Sequence, residues 1–151
     1  MLNFELNKQV KIDVDKKFLN AVIRGFSQEW KLKGRFNFSL AFIGAKNIKK
    51  LNQDYRGKNR VTDVLSFAED KNDFIEMLSA EKYLGEILIC APQAEKQAKQ
   101  FKQPLKKEIA RLLIHGLAHL VDYEHEGVSP KRAGEMREFE ERVMARINFK
   151  F

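Results

Sequence analysis

The chain has 151 residues, which suits one domain, residues 1–151, with room for a real core. Apolar residues make up 44% and charged residues 32%, an ordinary globular balance, and no window is apolar enough to span a bilayer. A formal net charge of +7 permits a polyanionic partner, because Lys and Arg that neutralise phosphates release condensed counterions; charge alone leaves an ordinary basic protein equally open.

The first residues, MLNFELNKQVKIDVD, hold no long apolar run and read as neither a secretory signal nor an anchor. A single cysteine, Cys90, excludes an internal disulfide framework and fits a reducing compartment. The expectation is a cytoplasmic protein with no membrane partner.

Asn3 to Ile12 alternates and predicts a first strand. Asp15 is placed to cap a helix whose Phe18, Leu19, Val22, Ile23, Phe26 and Trp30 recur at helical spacing. RFNFSLAFI, residues 35–43, is a second strand, and Ala45 to Tyr55 a short basic helix. Val61 to Phe67 and LGEILIC, residues 84–90, predict two more strands. Ala91-Pro92 starts a polar helix, and Pro104 sits at the first turn of the next. That helix, Pro104 to Val121, carries Ile109, Leu112, Leu113, Leu117 and Leu120 on one wide arc, which predicts deep burial. Ser129-Pro130 opens a last helix ending near Ile147. The fold class expected is α+β: a mixed sheet of four strands packed with helices, the arc-bearing helix in the core.

All three histidines fall inside IHGLAHLVDYEHE, residues 114–126. Random placement would put them in one eleven-residue window roughly 1% of the time. His115 and His119 are i and i+4, so they stack on one helix face. His125 follows the expected helix end, where a turn could swing it back. Neutral imidazoles are good zinc ligands, and three with an open fourth position make a catalytic arrangement. A structural zinc would need a fourth protein ligand, for which Cys90 or a carboxylate is available. The spacing is also that of metzincin proteases, but those carry Glu directly after the first His as general base, and here Gly116 stands there. Peptide hydrolysis is therefore a weak alternative.

Upstream, Lys46, Lys49, Lys50, Arg56, Lys58 and Arg60 are opposed by Asp54 alone. A cationic stretch containing Gly57 lets backbone and guanidinium approach a phosphate closely. Next to a hydrolytic metal, that favours phosphodiester chemistry, with Lys46, Lys49, Lys50, Lys58 and Arg60 as candidate RNA contacts.

YRGK and TDVLSF, then LGEILIC, then HGLAHLVDYEH and EMREFEE, in this order over residues 50–140, resemble the YbeY family of bacterial zinc-dependent endoribonucleases. The resemblance implies one zinc ion on His115, His119 and His125, another divalent ion being an alternative, and an Arg56 needed for activity. It also implies cleavage of single-stranded RNA in ribosomal RNA processing (16S rRNA 3′ end maturation) and a role in ribosome biogenesis or quality control. The implied partners are ribosomal RNA and ribosomal particles or their associated proteins. The alternative is a non-catalytic RNA- or ribosome-binding protein with a structural zinc, or a metal hydrolase of another substrate. The chain departs from the family pattern at Val61 for Pro, Glu86 for Asp, Asp122 for Gly and Glu124 for Asp. Glu86, Asp122 and Glu124 are candidate second-layer carboxylates and unranked candidates for a general base. The nucleophile is a metal-bound hydroxide or the 2′-hydroxyl of the substrate; only the latter leaves a cyclic phosphate.

Overall fold

A computed structural model describes residues 1–69, 81–124 and 133–149, with side chains described to Val121 and again from Gly134. The described elements are β1 (Leu2–Lys8), α1 (Lys16–Trp30), β2 (Phe36–Ile43), α2 (Ala45–Arg56), β3 (Val64–Ala68), β4 (Lys82–Cys90), α3 (Ala91–Gln100), α4 (Leu105–Glu124) and α5 (Ala133–Ala145). The four strands form one mixed sheet in the order β1-β2-β4-β3. β1, β2 and β4 run parallel, and β3 closes the edge antiparallel to β4. The α+β expectation holds. Among the described residues, no helix is long and apolar enough to cross a membrane.

Asp15 caps α1 as its position predicts: its carboxylate accepts from the Phe18 N–H at 2.9 Å, satisfying a donor the first turn leaves over. The first strand stops at Lys8, short of the expected Ile12. Its last partner is Phe42, and β2 ends one residue later, so there is no further ladder to join. β3 begins at Val64, three residues later than expected, since the Asp63 carbonyl already accepts from the Cys90 N–H at 2.9 Å at the sheet's end.

The sheet is covered unequally. One face packs against α1, α4 and α5 in a large core that includes Phe18, Phe26, Phe38, Phe42, Ile87 and Ile89. The other meets α2 through a smaller cluster: Ala41, Ile43, Ile48, Leu65, Leu88 and Cys90. Leu84 and Ile87 are three apart yet both enter the large core, which a regular strand forbids. A bulge explains it. Asn37 and Ser39 of β2 pair with Tyr83 and Glu86 of β4, so β4 spends one extra residue there. Gly85, at φ 136°, occupies the bulge.

α4 is the buried helix its arc predicts: Ile109, Leu112, Leu113, Leu117 and Leu120 are all at most 1% exposed. It runs to Glu124, three residues past the expected end at Val121. Asp122 therefore does not end the helix; its cost there is below about 0.7 kcal/mol, and the buried Leu120 and Val121 beside it anchor the turn. The expected start of the last helix, Ser129-Pro130, lies outside the described residues. The described part, α5, is clamped to α1. Arg142 and Arg146 donate to the two oxygens of Glu29 at 2.6 and 2.8 Å, and these bonds hold the Glu29 carboxyl below its ordinary range. Phe139 meets Phe26 and Trp30 edge-on beside them.

Candidate active site

His115 and His119 stand one turn apart on the rim of the buried arc, half-buried and exposed respectively. Their Nε2 atoms face each other at 3.2 Å, with the ring planes 81° apart. Two imidazoles on a tetrahedral zinc, each about 2.0–2.1 Å from the ion, would hold their nitrogens about 3.3 Å apart. The pair thus has the separation that a shared ion requires.

The other nitrogen of His115 is occupied. Its Nδ1 lies 3.1 Å from Oε1 of Glu140, on α5. A carboxylate accepting from Nδ1–H fixes the tautomer that leaves Nε2 as a lone pair, as in carboxylate–histidine–zinc arrangements. The Glu29 clamp and the Phe139 ring contacts seat α5, so they also place this carboxylate. Glu140 lies in EMREFEE, but helical periodicity alone could not single it out among the four carboxylates from Glu135 to Glu141.

The third expected ligand, His125, lies outside the described residues, as do the side chains of Asp122 and Glu124. Among the described residues no group of three metal-ligating side chains converges. Cys90, the possible fourth ligand of a structural site, sits in the smaller core on the α2 side of the sheet, where burial pushes its thiol pKa up. Its placement does not support that reading.

A cavity of about 320 Å³ opens beside the histidine pair. Arg56 lines it from the end of α2, Lys58 and Arg60 from the loop that follows, Asp63 and Ser66 from the edge strand and its approach, Arg111 and both histidines from α4. The loop is pinned by Asn52, which is 2% exposed: its Nδ2 donates to the Arg60 carbonyl at 3.0 Å, and its own carbonyl accepts from Lys58 N–H at 3.2 Å. Gly57 ends α2 in the left-handed conformation, φ 68°, turning the chain toward the cavity. Arg56 Nη2 donates to the Ser66 carbonyl at 3.2 Å, and among the described residues no carboxylate pairs with its guanidinium.

The basic segment therefore divides. Arg56, Lys58 and Arg60 reach the histidine cavity, whereas Lys46, Lys49 and Lys50, all exposed, do not line it. Lys50 pairs with Asp54 at 3.2 Å and borders a separate cavity with Glu5 and Glu86. Glu86 is misplaced for a role behind the metal ligands. Ile87 points at α4, so its neighbour Glu86 points to the opposite face, level with Phe67 of β3. Among the described residues, the carboxylate that lines the cavity is Asp63. Neither it nor Asn52 carries a spacing signal of its own; both act through a loop whose path the sequence leaves open.

Gly116 gains a physical reason. A Cβ there would lie 2.9 Å from Cγ2 of Ile87, so α4 approaches β4 closely at this point. A metzincin-type Glu at this position would point into the sheet instead of the cavity.

The family profile described as Endoribonuclease YbeY matches residues 2–148, nearly the whole chain. The chain belongs to the YbeY endoribonuclease family. It is 34% identical over 148 residues to the endoribonuclease YbeY of Alkaliphilus metalliredigens, covering 93% of this chain and 92% of that one. It is 40% identical over 109 residues to that of Thermodesulfovibrio yellowstonii, covering 72% of this chain and 65% of the other. A solution structure of a Thermotoga maritima protein superposes with a TM-score of 0.62 at 28% identity, covering 97% of this chain and 88% of that one.

Proposed function

We propose that this chain is a zinc-dependent endoribonuclease that cuts single-stranded RNA in ribosomal RNA maturation, working in the cytoplasm on ribosomal particles. The observation that carries the reading is the meeting of two elements far apart in sequence. The paired Nε2 atoms of His115 and His119 and the cationic loop Arg56–Arg60 border one cavity. Membership of a family named for endoribonuclease activity supports it.

Each residue has a distinct task. His115 and His119, with His125, would hold the ion, and Glu140 keeps His115 in the ligating tautomer. When bound, zinc supplies a Lewis acid for a phosphoryl oxygen and lowers the pKa of water toward neutrality. Arg56 stabilises charge growing on the phosphate, its guanidinium being answered among the described residues only by a carbonyl. Lys58 and Arg60 hold the flanking backbone without reading sequence.

The direct test is metal content measured alongside cleavage of a labelled single-stranded RNA, before and after chelation. Cleavage should disappear with the metal and return with zinc. Persistence of cleavage in chelated, nuclease-free protein would sink the reading; loss of cleavage only together with unfolding would favour a structural zinc instead. The cavity lining makes a second expectation. Lys58→Ala with Arg60→Ala should flatten the dependence of log affinity on log salt by about 1.4 for single strands, whereas Lys50→Ala should leave it nearly unchanged. Equal slopes for both variants would place the RNA path elsewhere.

A further inference from the structure

Arg111 lies one turn before His115 and lines the same cavity, yet its partner is buried beneath it. Glu108 is 0% exposed and accepts four hydrogen bonds. Arg111 donates Nε to Oε1 at 2.9 Å and Nη2 to Oε2 at 2.8 Å. Gln103 donates to Oε1 at 3.0 Å and Gln97 to Oε2 at 2.5 Å. Gln97 also reaches Asp63 at 3.2 Å, and Arg111 Nη2 stands 3.7 Å from the same Asp63 oxygen.

The arrangement is asymmetric. The carboxylate is wholly enclosed and uses both oxygens. The Arg111 side chain is 42% exposed, and its Nη1 makes no hydrogen bond among the described residues. A buried ion pair seldom stabilises a fold more than apolar residues of the same volume would. Stability alone therefore does not account for a buried Glu supporting a half-exposed Arg. A guanidinium gripped along one edge, however, presents its remaining N–H donors in a fixed direction, which suits a tetrahedral oxyanion.

We propose that Arg111 is a second phosphate-binding group of the cavity, contacting a substrate phosphodiester through Nη1, and that Glu108, with Gln97 and Gln103, positions it. This rests on the RNA reading above. The division of labour with Arg56 follows from their partners. Among the described residues Arg56 is held by one neutral carbonyl, and it brings net charge. Arg111 is largely neutralised by Glu108 and Asp63 and brings direction. Its removal should weaken binding with little change in salt dependence, unlike the removal of Lys58 and Arg60.

The test must avoid stranding a buried charge, because Arg111→Gln alone leaves Glu108 unpaired and endangers the fold. The double variant Glu108→Leu/Arg111→Met replaces the pair with apolar side chains of similar size. Metal-free protein, which does not cut its ligand, is titrated with a short single-stranded RNA, and the melting temperature and zinc uptake are read in parallel. The double variant should melt within a few degrees of the original and take up zinc normally, but bind the RNA about tenfold more weakly. Glu108→Gln, which keeps Arg111 and loosens the grip, should fall between the two. Unchanged RNA affinity in a folded double variant would overturn the proposal. A double variant that fails to fold would hand the decision to Arg111→Lys, which keeps the charge and loses the fork; unchanged affinity there would overturn it as well. If the original protein binds no RNA, the functional reading fails first, a result distinct from either.

Discussion

His119→Ala should abolish metal retention and RNA cleavage while leaving the melting temperature of the metal-free protein within a few degrees of the original. His119 is exposed, and the fold around it is held by residues on the other side of α4, where Leu112, Leu113, Leu117 and Leu120 are at most 1% exposed. An exposed helical substitution away from packing changes stability by about 0.5 kcal/mol or less, and Ala is the better helix former. Against that small structural effect stands the loss of a proposed ligand whose Nε2 lies 3.2 Å from that of its neighbour. A catalytic metal contributes several kcal/mol to the barrier, so the fall in rate should exceed about a thousandfold. Glu140→Gln is the graded companion. It keeps the shape but weakens the hold on His115 Nδ1, and outer partners of this kind are worth about 10- to 100-fold in metal affinity or activity. Calorimetric zinc titration, cleavage rates and thermal melts on the three proteins check all of this. A His119→Ala protein that still binds zinc and cuts RNA would remove the histidine pair from the site.

What the sequence made legible follows from which signals are local. The histidine spacing, the Asp15 cap and the leucine arc of α4 each lie within one helix or its flank, so periodicity reads them directly. The α+β class follows from the alternation of strand and helix patterns in the same way. What stayed hidden depends on how distant segments meet. LGEILIC reads as a plain strand, and nothing in its letters shows the bulge at Gly85 that lets Leu84 and Ile87 share a face. The face on which Glu86 lies depends on that parity. The split of the basic segment has the same origin. Lys50 and Arg56 are neighbours in charge pattern, but Lys50 sits against the far face of the sheet while Arg56 reaches the cavity over the edge strand. Arg111 was visible at one turn from His115, but its significance comes from a buried Glu108 and two glutamines that only packing brings to it. Asp122 stands where the family pattern has Gly, yet α4 continues through it.

Gly85→Ala should be among the most damaging single methyl additions in the protein. Two independent costs fall on one atom. The backbone is at φ 136°, a region that side chains strongly disfavour, and an added Cβ would stand 2.1 Å from the carbonyl oxygen of Phe67. The obstacle is backbone of the paired strand, so no rotamer change relieves it. β3 must move, and with it the register that sets Ala68 against Gly85 and Ser66 against Ile87. The expected destabilisation exceeds about 3 kcal/mol, a fall in melting temperature of roughly 10 °C for a chain of this size. Gly116→Ala is the useful contrast. Its clash, at 2.9 Å, is with the side chain of the buried Ile87 and not with backbone, so its cost should be smaller, about 1–3 kcal/mol, and should shrink in an Ile87→Ala background. The functional consequence of Gly85→Ala runs through β3, because the Ser66 carbonyl that steadies Arg56 and the Val64 wall of the cavity belong to that strand. Cleavage should therefore fall together with stability, in contrast to His119→Ala, where it falls alone. Thermal melts and cleavage assays on the two variants separate the contributions: a Gly85→Ala protein that melts like the original would show that β4 does not need its bulge, and the placement of Arg56 would need another cause.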